Sequence, residues 1–406
     1  MALLKTDALQ DGAFNSFKNV TSIEAQLQRH SGVGPGFDYL RVALALTILV
    51  GHTFGIVRGE SEQRAIGFIV GANPESAGVE LLSWWSGWAH WRHAFQGMLV
   101  PMFFALSGFL VTASALRLRN VKSFLIFRGL RILPALTVEV TLSALVLGPV
   151  FTSYNLGTYF TDYGFFRYFG NIFGFFTFYL PGVFESNPWP KIVNGNLWTL
   201  PAEFYCYLIL ALSMAAGLLY SKIQYTIFFA MLSVAYLCLL LADAGLVSGL
   251  EVGAGFKGSV ETAYYFFVGC LFYHWRSLMP ANFVLFIISG ILSLVLLREV
   301  LVGENLLLSK ACAPFLITYC TVFLGVFEFP KFRPIQQGDY SYGIYLYGFP
   351  IAQAIIATFP VLRSHVFLML IATLGSTILF AILSWHLFER PTLQLKSRFG
   401  STSRSI

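Results

Sequence analysis

Stretches of about 20 apolar residues recur along this chain from residue 38 to residue 388, separated by short polar connections. A helix rises about 1.5 Å per residue, so each stretch can cover a hydrocarbon core of about 30 Å. Ten stand out, at roughly 38–57, 94–116, 133–151, 197–220, 223–243, 258–275, 281–302, 308–327, 340–360 and 364–388. The pattern predicts an all-α, polytopic transmembrane helical bundle of about ten spans. An eleventh stretch, 165–181 (FFRYFGNIFGFFTFYLP), is short and ends at Pro181. It reads as an additional short re-entrant or interfacial helix.

Composition points the same way. Of 406 residues, 56% are hydrophobic and 11% charged, where a soluble protein has about 25% charged. Mean hydropathy is +0.69. Three regions follow: a polar N-terminal tail at 1–37, one membrane domain at 38–390 and a polar C-terminal tail at 391–406. The first 37 residues have no charged start followed by an apolar stretch, which argues against a cleaved signal peptide. Phe14, Phe17, Ile23 and Leu27 fall at near-helical spacing. That suits a helix lying along the membrane surface, and an unordered tail fits equally well.

Charge sets the orientation. Arg117, Arg119, Lys122, Arg128 and Arg131 cluster between the second and third spans, and such clusters stay in the cytoplasm. With ten spans, 17 of the 26 Lys and Arg then fall inside, and both termini are cytoplasmic. Counting 165–181 as a span would invert every later loop and put Arg390, Lys396, Arg398 and Arg404 outside. The net charge of +6 therefore belongs to one membrane face and implies no nucleic-acid partner.

Other features have bland readings. Cys206, Cys238, Cys270, Cys312 and Cys320 lie within apolar segments, and packing explains them better than disulfides. Trp84, Trp85, Trp88 and Trp91 suggest an interfacial helix. His90 and His93 are three apart, but no neighbouring carboxylate or cysteine completes a ligand set, so no metal is expected.

Ionisable groups inside spans are costly and mark function by default. In the first span, FDYLRVALALTILVGHTFGIV, Arg41 and His52 are eleven residues apart. About three turns put them on one face, roughly 16 Å apart. An imidazole beside a wet cavity can act as a general base, and one bonded to a backbone carbonyl is structural. Arg128 and Arg131 share a face at the start of the third span. Their planar forks suit a polyphosphate ligand, or lipid headgroups and topology. Ser107 and Gly108 permit close helix approach. In GNLWTLPAEFYCYL, Pro201 disturbs the first turn above Glu203, which can open a small polar cavity. Pairing of Glu203 with His52 is geometrically allowed. Glu139 is a second buried acid that needs a partner or a proton. Glu389 and Arg390 read as a surface charge pair.

Together these residues resemble the acyltransferase-3 family of membrane O-acyltransferases over about 36–392. The elements are Asp38, Arg41 and His52; Ser107–Phe109; Phe127 to Arg131 with Ile132 and Pro134; Leu197, Trp198, Leu200, Glu203 and Tyr207; Ser341 to Pro350; and Glu389 to Pro391. Gly348 departs from the pattern, because many relatives carry histidine there. The resemblance implies transfer of an acyl group, usually acetyl, from cytoplasmic acetyl-CoA to a hydroxyl of a surface or lipid-linked glycan, in a bacterial inner membrane. On that basis His52 is the general base. Arg41 positions the donor or the catalytic core, and Glu203 orients His52 or the acceptor. Arg128 and Arg131, with Ser107 beside them, form the acetyl-CoA site. A covalent acyl-histidine is an alternative route. A glycolipid or acyl-group transporter would show the same spans, although it often carries paired repeats with broken helices, which are not evident here. A non-catalytic membrane sensor would explain Gly348.

Overall fold

A computed structural model describes residues 21–59, 85–247, 254–301, 306–330, 332 and 338–395. Ten long helices run through them: α1 Phe37–Arg58, α2 Trp85–Leu118, α3 Val121–Leu142, α4 Thr199–Ala215, α5 Lys222–Asp243, α6 Ala254–Trp275, α7 Phe283–Leu301, α8 Leu306–Val326, α9 Ser341–Thr358 and α10 Val366–Ser384. Each coincides with one of the ten apolar stretches. Eight helices among the described residues are long and apolar enough to cross a membrane. The other two, α6 and α9, are interior elements. Tyr264 to Val268 of α6 and Leu346 to Pro350 of α9 are buried by protein, so these helices need not be greasy all round. The protein is a multi-pass helical membrane protein.

Burial sorts the helices. In α1, 56% of the apolar window is buried by other helices, against 11% in α7 and 22% in α5. The last two are peripheral and turn Ile287, Ile291, Ile227 and Val234 outward, where lipid replaces protein. The centre is α1 and α2. The α2–α6 crossing is close because Gly108 and Gly269 lack side chains. A Cβ on Gly108 would strike the Phe266 carbonyl, and one on Gly269 the Ala105 carbonyl. The tryptophan segment is the N-terminal continuation of α2. Its Trp91 ring carries the Arg298 guanidinium at 5.6 Å, and Trp84 lies outside the described residues.

Three expectations change. The described part of the N-terminal tail docks on the bundle instead of lying along lipid. Thr21–Ser22 pairs antiparallel with Pro280–Ala281. The helix Ile23–Arg29 then buries Ile23 and Leu27, and Glu24 receives Arg276 at 3.0 Å. Phe14 and Phe17 lie outside the described residues. Second, 165–181 is not one helix. Leu156–Thr161, Tyr163–Tyr168 and a 3-10 turn at Phe169–Phe173 precede extended chain. The Asp162 side chain caps the second helix, and Gly174 ends the turn at φ +87°. None of these is long enough to span. Third, Glu389 is buried rather than at the surface. It sits in a π-bulge continuing α10 and accepts the Ser384 hydroxyl at 2.9 Å. All five cysteines are free, and Cys206, Cys270 and Cys320 are buried as packing residues.

Residues 182–198 fold back onto α9. Pro350 has no N–H to give to the Leu346 carbonyl. The Asn194 amide takes that carbonyl instead, at 3.0 Å, and also donates to Glu139 at 2.9 Å. Asn187 donates to the Gln353 carbonyl at 3.0 Å and to its side chain at 2.9 Å. Gln353 donates to the carbonyls of Trp189 and Ile192. Asn196 donates to the Tyr345 carbonyl at 2.5 Å. Asn194 and Gln353 thus give donors to the carbonyls of Leu346, Trp189 and Ile192, while Asn187 and Asn196 add a second bond to carbonyls within α9.

Asn194→Leu should therefore lower stability by about 1–3 kcal/mol, the cost of leaving buried acceptors unpaired. Pro350→Ala restores a donor to the Leu346 carbonyl, so the double variant should lose less than the sum of the two single changes. Thermal unfolding of the four proteins in one detergent measures both. Strict additivity would show that the two residues do not share that carbonyl.

Candidate active site

Two cavities enter the bundle from opposite ends. The first, about 170 Å³, lies near the C-terminal end of α1 and the N-terminal ends of α2 and α8. His52 lines it with Gln96, His93, Glu261, Lys310 and Trp198. Pro101 lies in its wall and has no N–H to give to the carbonyl of Gly97, which also lines it. The second, about 130 Å³, lies near the N-terminal ends of α1 and α3. Arg41, Ser107, Arg128, Arg131, Glu203 and Tyr207 line it, with Phe103, Phe104 and Leu110 deeper in.

The predicted residues therefore separate. His52 is alone among them in the first cavity. It shares a side-chain hydrogen bond with Asn196, and its ring meets Phe349 edge-on at 5.3 Å. The Tyr345 carbonyl takes one of the two Asn196 amide N–H groups, so Asn196 can meet the imidazole with its Oδ1 or with its second N–H. Where Oδ1 accepts the imidazole N–H, the second ring nitrogen keeps a lone pair.

Glu203 is not with His52. Its carboxylate accepts the Tyr207 hydroxyl, and the Ser107 hydroxyl lies at 3.5 Å from Glu203 and 3.2 Å from Tyr207. Four residues separate Glu203 from Tyr207, so one face of α4 carries both, and Ser107 reaches them from α2. Pro201 is accommodated in the first turn of α4, where a helix needs no N–H donor. The Arg128 guanidinium lies 6.0 Å from the Tyr207 ring, donates to Ser114 at 3.5 Å, and keeps a buried Nε without a partner.

Arg41 and Arg131 meet at a residue that sequence reasoning passed over, Asp339. Its carboxylate holds Arg131 in an ion pair and Arg41 at 3.4 Å, and Ser341 donates to it at 2.5 Å. Burial disfavours charge on Asp339, but the two arginines outweigh it and hold the carboxyl well below the usual carboxylate range. The signal was an acid two residues ahead of Ser341. Asn196 was missed similarly, inside a segment where the acid drew the attention. Glu139 lines neither cavity: it accepts Asn194 and Ser143, each at 2.9 Å.

The sequence profile of the acyltransferase domain of the acyltransferase-3 family matches residues 35–386. The chain belongs to that family. It is an O-acyltransferase. Among relatives of this acyltransferase, an O-acetyl transferase of Shigella phage Sf6 is 25% identical over 364 residues, covering 89% of this chain and 96% of the relative. Nodulation protein 10 of Rhizobium leguminosarum bv. viciae is 27% identical over 333 residues, 76% and 85% of the two chains. No solved structure matches the acyltransferase significantly.

Asp339 gives a pH test. A carboxyl with a depressed folded-state pKa stabilises the protein above its unfolded value of about 3.9, and that contribution is lost as pH falls through the folded value. Asp339→Asn should unfold at lower temperature than wild type at pH 7, and the difference should shrink below about pH 4. Melting curves from pH 7 down to 3 check this; a gap that stays constant would show that the arginines do not depend on the charge.

Proposed function

We propose that this acyltransferase moves an acetyl group from acetyl-CoA to a hydroxyl of a surface or lipid-linked carbohydrate, in a bacterial inner membrane with both termini in the cytoplasm. The observation that carries the reading is a cavity lined by His52, itself bonded to Asn196, beside a cavity lined by three arginines, the two sharing Val100 and Tyr345. The name of the phage relative supports acetyl as the group, and the bias of 17 of 26 basic residues supports the orientation.

The donor's phosphates meet Arg128, whose guanidinium keeps an N–H to spare. Arg131 and Arg41 are already held by Asp339 and shape the mouth. The thioester arm runs past Phe103 and Leu110 toward His52. Asn196 holds one imidazole N–H, and the other nitrogen takes the proton from the acceptor hydroxyl. The acceptor oxygen forms a bond to the acetyl carbon, and the carbon–sulfur bond breaks. The thiolate of CoA then takes the proton from the imidazolium, leaving CoA thiol and an O-acetyl ester. Glu203, Tyr207 and Ser107 brace the donor cavity, so Glu203 acts on the donor side instead of orienting His52.

Gly348 does not favour a degenerate site. A Cβ there would lie 2.5 Å from Leu49 Cδ1, so Leu49 fills the space a larger residue would use. His52 retains its own partner regardless. Membership of an acyltransferase family likewise argues against the transporter reading.

His52→Ala should cut transfer by about 10²–10⁴-fold while acetyl-CoA still binds. Asn196→Leu should lower kcat in the same direction without weakening the donor. Turnover and donor titration on purified protein separate these effects. Wild-type turnover by folded His52→Ala would remove the general base.

Lysine keeps the charge of arginine but loses its fork. Arg128→Lys should bind acetyl-CoA roughly tenfold more weakly or worse, the value of a charged hydrogen bond of about 1.5–3 kcal/mol. Arg131→Lys should mainly lower thermal stability, through Asp339. Equal dissociation constants for Arg128→Lys and wild type would leave Arg128 with topology or lipid alone.

A further inference from the structure

Among the described residues, only Val100 and Tyr345 line both cavities. These two side chains therefore mark the place where the cavities adjoin, and a passage from the arginines to His52 would run past them. The approach from the arginine side is apolar, walled by Phe103, Phe104 and Leu200, as an uncharged acyl arm requires. The Tyr345 ring is fixed across this throat. Its hydroxyl lies 2.8 Å from the Thr199 hydroxyl, and Phe103 lies 5.9 Å from it, ring to ring. Thr199 is anchored in turn by donating to the Asn196 carbonyl at 3.0 Å. The Tyr345 carbonyl accepts the Asn196 amide, so the residue that narrows the throat also holds the residue that orients His52.

We propose that Tyr345, with Val100 opposite, is the acyl-length filter of this enzyme, admitting short acyl groups to His52 and rejecting longer ones; this rests on the donor and base assignments above. A ring tethered at both its hydroxyl and its backbone acts as a fixed aperture. The filter lies beyond the arginines, so it grades the acyl group without touching the CoA phosphates. Donor affinity and acyl selectivity are therefore separable in one protein. The Tyr345 hydroxyl is a tether and takes no part in proton transfer, so Tyr345→Phe keeps the ring but loosens it and loses part of the selectivity, while Tyr345→Ala opens the throat. Val100→Ala opens the same throat from the opposite wall, without disturbing the Thr199 and Asn196 contacts.

The experiment uses full-length protein in detergent, with radiolabelled acetyl-CoA or butyryl-CoA as donor. The acceptor source is membranes from cells carrying only His52→Ala. Transfer to the membrane polysaccharide fraction is measured, and donor dissociation constants are titrated in parallel. A pocket typically discriminates about tenfold or more per methylene, and butyryl carries two more than acetyl. Wild type should therefore favour acetyl by about a hundredfold or more. Tyr345→Ala and Val100→Ala should each bring that ratio toward one, with the acetyl-CoA dissociation constant unchanged. Tyr345→Phe, which keeps the ring and loses its hydroxyl tether, should give a ratio between those of wild type and Tyr345→Ala. If Tyr345→Ala does not fold, Val100→Ala decides. A wild-type ratio in the folded alanine variants, with donor binding intact, overturns the filter. So does equal use of both donors by wild type. Failure of wild type to bind acetyl-CoA at all would instead remove the donor site on which the filter depends.

Discussion

One missing hydrogen organises this protein. Proline at position 350 leaves the carbonyl of Leu346 without its helical donor, and Asn194 supplies one from a loop far away in sequence. Once that bond is made, neighbouring amides fall into register. Asn187 and Gln353 close the far end of the loop, and Asn196 reaches the Tyr345 carbonyl one residue before Leu346. The position of Asn196 fixes the partner of His52. A backbone vacancy in α9 is thus converted, through two asparagines two residues apart, into the orientation of an imidazole on α1. Buried polar networks of this kind rigidify a loop to the extent that their members are satisfied, and here Glu139 Oε2 and Trp189 Nε1 are the buried atoms left over.

The opposite end of the bundle depends on charge. Arg41 lies in the second turn of α1, Arg131 near the middle of α3, and Asp339 just ahead of α9, so one carboxylate ties three helices together. Arg41 also pairs with Asp38 at 3.1 Å, and Glu203 lines the same cavity as Arg128, so three acids face three arginines. The rigidity of this cavity comes from those ion pairs. The first cavity is balanced through lysines. Lys310 meets both Glu261 and Asp243, and Lys257 meets Asp243, so acids and bases cancel at its mouth.

The ten helices were legible because apolar length is a direct physical requirement of the bilayer. Arg41, His52, Arg128 and Arg131 were legible because charge inside a span demands a reason. Asn194, Asn196 and Asn187 were not. An asparagine in a polar loop is ordinary, and only the fold shows that its carbonyl partners lie some 150 residues away. Asp339 was hidden for a related reason, since it sits just outside its helix. The expected Glu203–His52 pair failed because depth along the bundle was judged from α1 and α4 separately. The 3-10 turn Gly195–Trp198 places Asn196, not Glu203, at the level of the histidine.

The docking of Thr21–Ser22 against Pro280–Ala281 bears on biogenesis. The strand is made early, but its partner leaves the ribosome some 260 residues later, after six of the ten long helices. Closing so large a loop carries an entropic cost, and two residue pairs alone do not offset it. The pairing therefore follows synthesis of α6 and cannot guide the insertion of the first six long helices. Until then Ile23 and Leu27 have no apolar site on the bundle, and the early chain presents them to whatever escorts it. A docked N-terminal segment is thus a signature of a chain whose sixth and seventh helices have been correctly threaded.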